Sequence, residues 1–165
     1  MKYVCPCIAV DSIEESREFY ESLLGQTVKF DFGENVAFDG MFAIQLKPHF
    51  AAMINRRPDD LKDRPNNMEL TFETEDLDAF LKTLDASKFA VRRLHDVIEH
   101  PWGQRVIRFY DPSDHIVEVG EAMSVVVTRF LEQGMTVEEA AARTQFPVDF
   151  VAACRDRMNG EDDSP

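Results

Sequence analysis

The sequence predicts an α+β protein made of two copies of one β-α-β-β-β module, followed by a helical extension. Two observations predict this. In each half a strand-like segment runs into a capped amphipathic helix, and three short strand-like segments divided by turn residues follow. The same order then returns after a polar linker. A repeat of about 65 residues is too long for a solenoid unit and suits a duplicated module.

In the first module, 1–47, Tyr3 to Val10 reads as a strand, with Pro6 tolerable near an edge or a strand start. Ser12-Ile13-Glu14-Glu15 is a capping box, in which Ser12 and Glu15 satisfy each other's backbone donors. Ile13, Ser16, Tyr20 and Leu23 recur at helical spacing and Gly25 follows, so 12–24 is predicted helical. Thr27–Phe32, Asn35–Phe38 and Phe42–Leu46 are the three strands, separated by Gly33 and Asp39-Gly40. Residues 48–67 are polar, contain three prolines and read as the linker, with one short helix around Phe50–Asn55.

In the second module, 68–120, Met68–Thr74 is strand-like and Asp76 caps a helix. Leu77, Phe80, Leu81 and Leu84 supply its apolar face. Phe89–Leu94, Gln104–Tyr110 and His115–Gly120 complete the set, the last two joined by the turn Asp111-Pro112-Ser113-Asp114. The extension, 121–158, opens with an apolar stripe of Met123, Val126, Val127, Phe130 and Leu131 that stops at Gly134. Thr136-Val137-Glu138-Glu139 is a second capping box for a helix to about Thr144, and Pro147 opens a third reaching roughly Arg157. The tail 159–165 reads as disordered.

Thirty-one acidic against eighteen basic residues give a formal charge of -13, which repels phosphate backbones and anionic lipid. Nucleic acid and membrane are therefore not expected partners. The extension has a helix-turn-helix-like order, but its last helix is largely apolar with Asp149 near its start, so packing or dimerisation is the better reading. No apolar run approaches the roughly 20 residues that span a bilayer. The first residues lack a signal-peptide layout, so a cytoplasmic location is expected. Cys5, Cys7 and Cys154 form neither a disulfide framework nor a zinc pattern and read as reduced thiols; on one strand Cys5 and Cys7 would share a face.

Segments 8–25, IAVDSIEESREFYESLLG, and 108–121, RFYDPSDHIVEVGE, carry a resemblance to a known family. A V-x-D/S-x-x-x-S-x-x-F-Y-x-x-x-L-G start and an F-x-D-P-x-x-x-x-x-E closing hairpin, in this order, resemble the vicinal oxygen chelate superfamily of glyoxalase, bleomycin-resistance and extradiol-dioxygenase relatives. The resemblance covers about residues 1–120. It implies two half-barrels forming an open barrel-like sheet around one pocket. In metal-dependent members it also implies a divalent ion that stabilises an anion on vicinal substrate oxygens. The positions that would hold the ion fall on Cys5, Gln45, Glu69 and Glu118, of which only Glu118 keeps the usual residue. Two carboxylates and an amide oxygen are hard donors, whereas a thiolate suits zinc. The cofactor expectation is therefore none, or one divalent ion (Zn, Mn, Ni or Fe). His49, His95, His100 and His115 stand outside the ligand positions.

Strand alternation sharpens the candidate site. Gln104, Val106, Arg108 and Tyr110 share one face, and Ile116 shares a face with Glu118. Matching Glu118 to the superfamily's pocket turns Val117, Val119 and Phe109 against the helices and Arg108 into the pocket. Arg108 and Glu118 are then an ion pair closing the hairpin, an anion clamp for a ligand, or, for Glu118, a metal ligand. Trp102, the one tryptophan, either stacks on a flat ligand or caps the barrel end. The candidate ligand-binding residues are Trp102, Gln104, Arg108, Tyr110 and Gln45, and the candidate catalytic pair is Glu118 with Glu69, two carboxylates able to divide acid and base roles. Two functions compete: a metal-free binder of a small molecule, and a divalent-metal-dependent lyase or dioxygenase. Of these the first is favoured. A small-molecule ligand and a second copy of the chain, as a homodimer, are the expected partners.

Overall fold

The structure is a computed structural model that describes residues 1–160, so most of the tail lies outside the described residues. The first module runs β1 (Cys7–Val10), α1 (Ile13–Ser22), β2 (Val28–Asp31), β3 (Asn35–Phe38) and β4 (Ala43–Leu46). After α2 (Lys47–Met53) and a 3-10 turn at Pro58–Asp60 come β5 (Glu69–Thr74), α3 (Leu77–Ala86), β6 (Arg92–Arg93), β7 (Ile98–Glu99), β8 (Arg105–Tyr110) and β9 (Ile116–Glu121). The extension holds α4 (Met123–Glu132), α5 (Val137–Thr144) and α6 (Val148–Met158).

The strand order shows the duplication directly. One sheet runs β1-β4-β3-β2 and the other β5-β9-β8-β6, with β7 also on β8, so in each the first strand of a module pairs with its last. β1 lies parallel to β4 with Ile8 opposite Ile44, and β3 runs antiparallel to β4 with Val36 opposite Ile44. Both sheets are open, and the expected α+β class with C-terminal helices is what the chain adopts.

Four expectations need correction. The first strand begins at Cys7, not Tyr3. Pro6 has no N–H to give a ladder, and it contributes only its carbonyl, to Ala43 N at 3.0 Å. Cys5 therefore precedes the strand, and the shared-face argument for Cys5 and Cys7 does not apply. The short helix expected around Phe50–Asn55 starts earlier: α2 begins at Lys47 directly from β4, with Pro48 in its first turn, where a missing N–H costs nothing. Phe89–Leu94 is not one strand, because only Arg92 and Arg93 pair with β8. A further strand, β7, takes up the next stretch of β8, with Ile98 opposite Val106.

The described chain forms two compact units that do not follow the module boundaries: 1–70 with 81–94 and 109–117, and 71–80 with 95–108 and 118 onward. The first unit is centred on rings. Tyr20 meets Phe42 edge-on at 4.9 Å, Phe38 stacks on Phe42 at 4.6 Å, and Phe19 meets Phe89 at 5.2 Å and Phe109 at 6.4 Å. Phe19, Tyr20 and Phe109 are fully buried, each worth about 2–3 kcal/mol of burial with up to ~1 kcal/mol more per well-placed ring pair. The second unit buries Met123, Val126, Val127 and Phe130 of α4 against Ala140, Ala141, Val151 and Cys154 of α5 and α6. The stripe read from the sequence is thus the seam of a three-helix cluster.

Candidate functional site

In the second unit, β8 and β9 set two faces apart as alternation requires. On one face Arg108 Nη2 pairs with Glu118 Oε2, and Glu118 is 7% exposed. Val106 and Gln104 continue this face beside Gly120, where an added Cβ would lie 2.8 Å from Gln104 Nε2 and 3.2 Å from Val106 Cγ1. The other face carries Ile107, Val119 and, at its end, Glu121, which is 2% exposed. Glu121 Oε2 accepts from Arg105 N at 3.0 Å, and Oε1 accepts from Arg105 Nε at 2.9 Å and Arg129 Nη1 at 2.7 Å. Burial alone would push the Glu121 carboxyl up; the hydrogen bonds from Arg129 and then Arg105 outweigh it and hold it below the usual carboxylate range.

Trp102 belongs to the same unit. Its Nε1 donates to Gln104 Oε1 at 3.0 Å, and Gln104 Nε2 passes the chain on to the Glu121 carbonyl at 2.8 Å. The indole stacks on His100 at 4.3 Å and packs against the α4–α6 cluster. The Trp102-Gly103-Gln104 loop therefore ties the sheet to the extension.

The other candidates lie in the first unit and fall into separate networks. Gln45 is 4% exposed and its amide is fully engaged. Oε1 accepts from Asn35 Nδ2 at 2.9 Å, Nε2 donates to the Glu34 carbonyl at 2.7 Å, and Nε2 lies 3.0 Å from His49 Nδ1. Tyr110 donates its hydroxyl to Asn66 Oδ1 at 2.9 Å and lies under the Arg92 guanidinium at 4.6 Å. Arg92 and Arg64 both hold Asp114; burial raises that carboxyl and the Arg64 hydrogen bond leads the effects that bring it below its ordinary value. Glu69 opens β5 on the exposed side. Cys5 is half-buried, and partial burial, then Cys5 itself, push the Cys7 thiol up, away from the thiolate a soft metal needs.

Tested as metal ligands, these residues fit poorly. Among the described residues no group of three or more His, Cys, Asp and Glu is placed to hold an ion. The Gln45 oxygen is spent on Asn35, and Glu118 faces a guanidinium. Sequence reasoning paired Arg108 with Glu118 and missed Glu121, Asn35 and His49. Glu121 had a usable signal, since alternation places it on the face of Val117 and Val119, where a buried carboxylate demands cationic partners. Asn35 and His49 gave none, because their link to Gln45 depends on the strand pairing and on α2 starting at Lys47.

An α+β chain of two modules, each pairing its first strand with its last, is the architecture of the vicinal oxygen chelate superfamily. The model of the glyoxalase-like domain matches residues 3–124, and the chain belongs to that family. A protein of unknown function from Agrobacterium tumefaciens str. C58 is 36% identical, with a TM-score of 0.65 over 74% of this chain and 94% of that one. A glyoxalase-related enzyme from Fulvimarina pelagi is 19% identical, with a TM-score of 0.62 over 75% and 91% of the two chains. Lactoylglutathione lyase from Agrobacterium tumefaciens is 18% identical, with a TM-score of 0.54 over 74% and 96%. At the last two identities the likeness is one of fold. No curated protein matches the chain.

Proposed function

We propose that this chain is a small-molecule-binding member of the glyoxalase-like family that works without a metal ion at the superfamily's ligand positions. The observation that carries the reading is the Arg108–Glu118 pair: the one position that keeps the usual metal-binding residue is occupied by a cation of the protein itself. An incoming ion must first displace that guanidinium from the buried carboxylate. The engaged amide of Gln45 supports the same reading at a second position. The remaining predicted ligand-binding residues, Trp102, Gln104 and Tyr110, are kept as contact candidates in this proposal, and Glu69 as an exposed carboxylate with no assigned step.

Elemental analysis of protein purified without chelator or affinity tag is the test. The expected result is far less than one equivalent of Zn, Mn, Ni or Fe, with none taken up on addition of the ions. About one equivalent, lost in Glu118→Ala, would replace this reading with that of a metal-dependent lyase or dioxygenase.

A further inference from the structure

The first unit contains a cavity of about 280 Å³ that none of the superfamily positions lines. β1, α2, the segment 61–68 and the closing hairpin surround it, with Phe50, Leu61 and Met68 among its apolar walls and His115 from the hairpin. His115 is held in one orientation. Its backbone N–H donates to Asp111 Oδ1 at 2.8 Å, and its ring Nδ1 lies 3.1 Å from Asp111 Oδ2. The Asp111 side chain is fully buried and also accepts from Tyr20 Oη at 2.7 Å and Ser113 N at 2.9 Å. A carboxylate receiving that many donors is an acceptor, so Nδ1 carries the imidazole proton. In the neutral ring Nε2 then keeps the lone pair and is the acceptor.

The charges around the cavity cancel. Lys47 Nζ is shared between Asp63 at 2.6 Å and Asp11 at 3.4 Å, and Lys62 adds one more exposed cation. Nothing in the lining selects a free ion of either sign. The volume lies at the foot of the range for ligand pockets, roughly 300–1,000 Å³, and holds about one ring.

We infer that this cavity, with His115 Nε2 as its acceptor and Phe50, Leu61 and Met68 as its apolar walls, binds a neutral one-ring molecule carrying a hydroxyl donor, of the phenol class. The inference rests on the small-molecule reading above and adds to it a site that Trp102, Gln104 and Tyr110 do not line. The hydroxyl donates to Nε2, while the ring covers the apolar side chains of the lining. Asp111 acts through His115 and is a positioning residue.

NMR titration of the full chain with phenol and with anisole, its methyl ether, tests this. Phenol should shift the His115 ring resonances saturably, and anisole, which has no donor, should bind about tenfold more weakly, the worth of one such hydrogen bond. In His115→Asn the amide still donates to Asp111 but offers no ring acceptor, so phenol should fall to the anisole level. Equal affinity for the two compounds, a comparison that needs no variant, overturns the site, as does full phenol affinity in His115→Asn. Shifts confined to residues such as Trp102 also overturn it while leaving small-molecule binding intact. Stoichiometric metal in the purified protein, by contrast, removes the metal-free reading and leaves this cavity's test untouched.

Discussion

Glu121 illustrates how one residue binds an element to a sheet. Its carboxylate is nearly inaccessible, and it takes hydrogen bonds from Arg105 on β8 and from Arg129 on α4. Its pKa is lower in the folded chain than in the unfolded one, so its contribution is fully present above the ordinary glutamate pKa and is lost as the pH falls through the lowered folded value. Glu121→Gln removes the charge and leaves two half-buried guanidinium groups short of a partner. Chemical denaturation at pH 7 should show a loss of about 3 kcal/mol, and the loss should shrink as the pH is lowered below the carboxylate range. An equal loss at both ends of the range would mean that the charge is not what matters.

At the scale of elements, the turn between β7 and β8 is set by one glycine. Gly103 has φ +89°, and a Cβ there would lie 2.2 Å from Phe130 Cζ. The left-handed backbone and the ring of α4 each exclude a side chain, and Arg129 Nη2 bonds the Gly103 carbonyl at 2.5 Å. Gly103→Ala should cost about 2–3 kcal/mol and lower the melting temperature, because strain and a displaced Phe130 add. A melting temperature within a degree of the parent would show that α4 can shift away from the loop. The next hairpin, β8–β9, was legible from D-P-S-D, whereas this turn and the packing of Phe130 on its glycine were not, since nothing local links residue 103 to residue 130.

At the scale of the whole molecule, none of the described helices is long and apolar enough to cross a membrane. For the homodimer expected from the sequence, one edge strand offers a physical candidate for the seam. Phe30 and Phe32 sit on and beside the edge strand β2, are 53% and 71% exposed, and stack on each other at 6.1 Å. An edge strand carrying paired exposed rings is a surface that self-association would cover. Sedimentation velocity should show a dimer that Phe32→Ser weakens by at least about tenfold in dissociation constant. A parent chain that sediments as a monomer at high concentration rules out the dimer.

The sequence by itself determined the duplicated order of elements, the capped helices α1 and α5 and the apolar seam of the extension. These depend on spacing, caps and turn residues, which act within a few positions. It also placed Arg108 on the face of Glu118, because a period of two fixes faces once the family resemblance assigns Glu118 its side. The tertiary structure alone decided that β1 starts after Pro6, that β7 joins β8, and that Gln45 is enclosed by Asn35, Glu34 and His49. It likewise decided that the His115 ring, held by Asp111, lines a cavity. Each of these depends on which distant segment arrives to satisfy a donor or fill a space, and that information is carried by packing between elements, not by any local pattern.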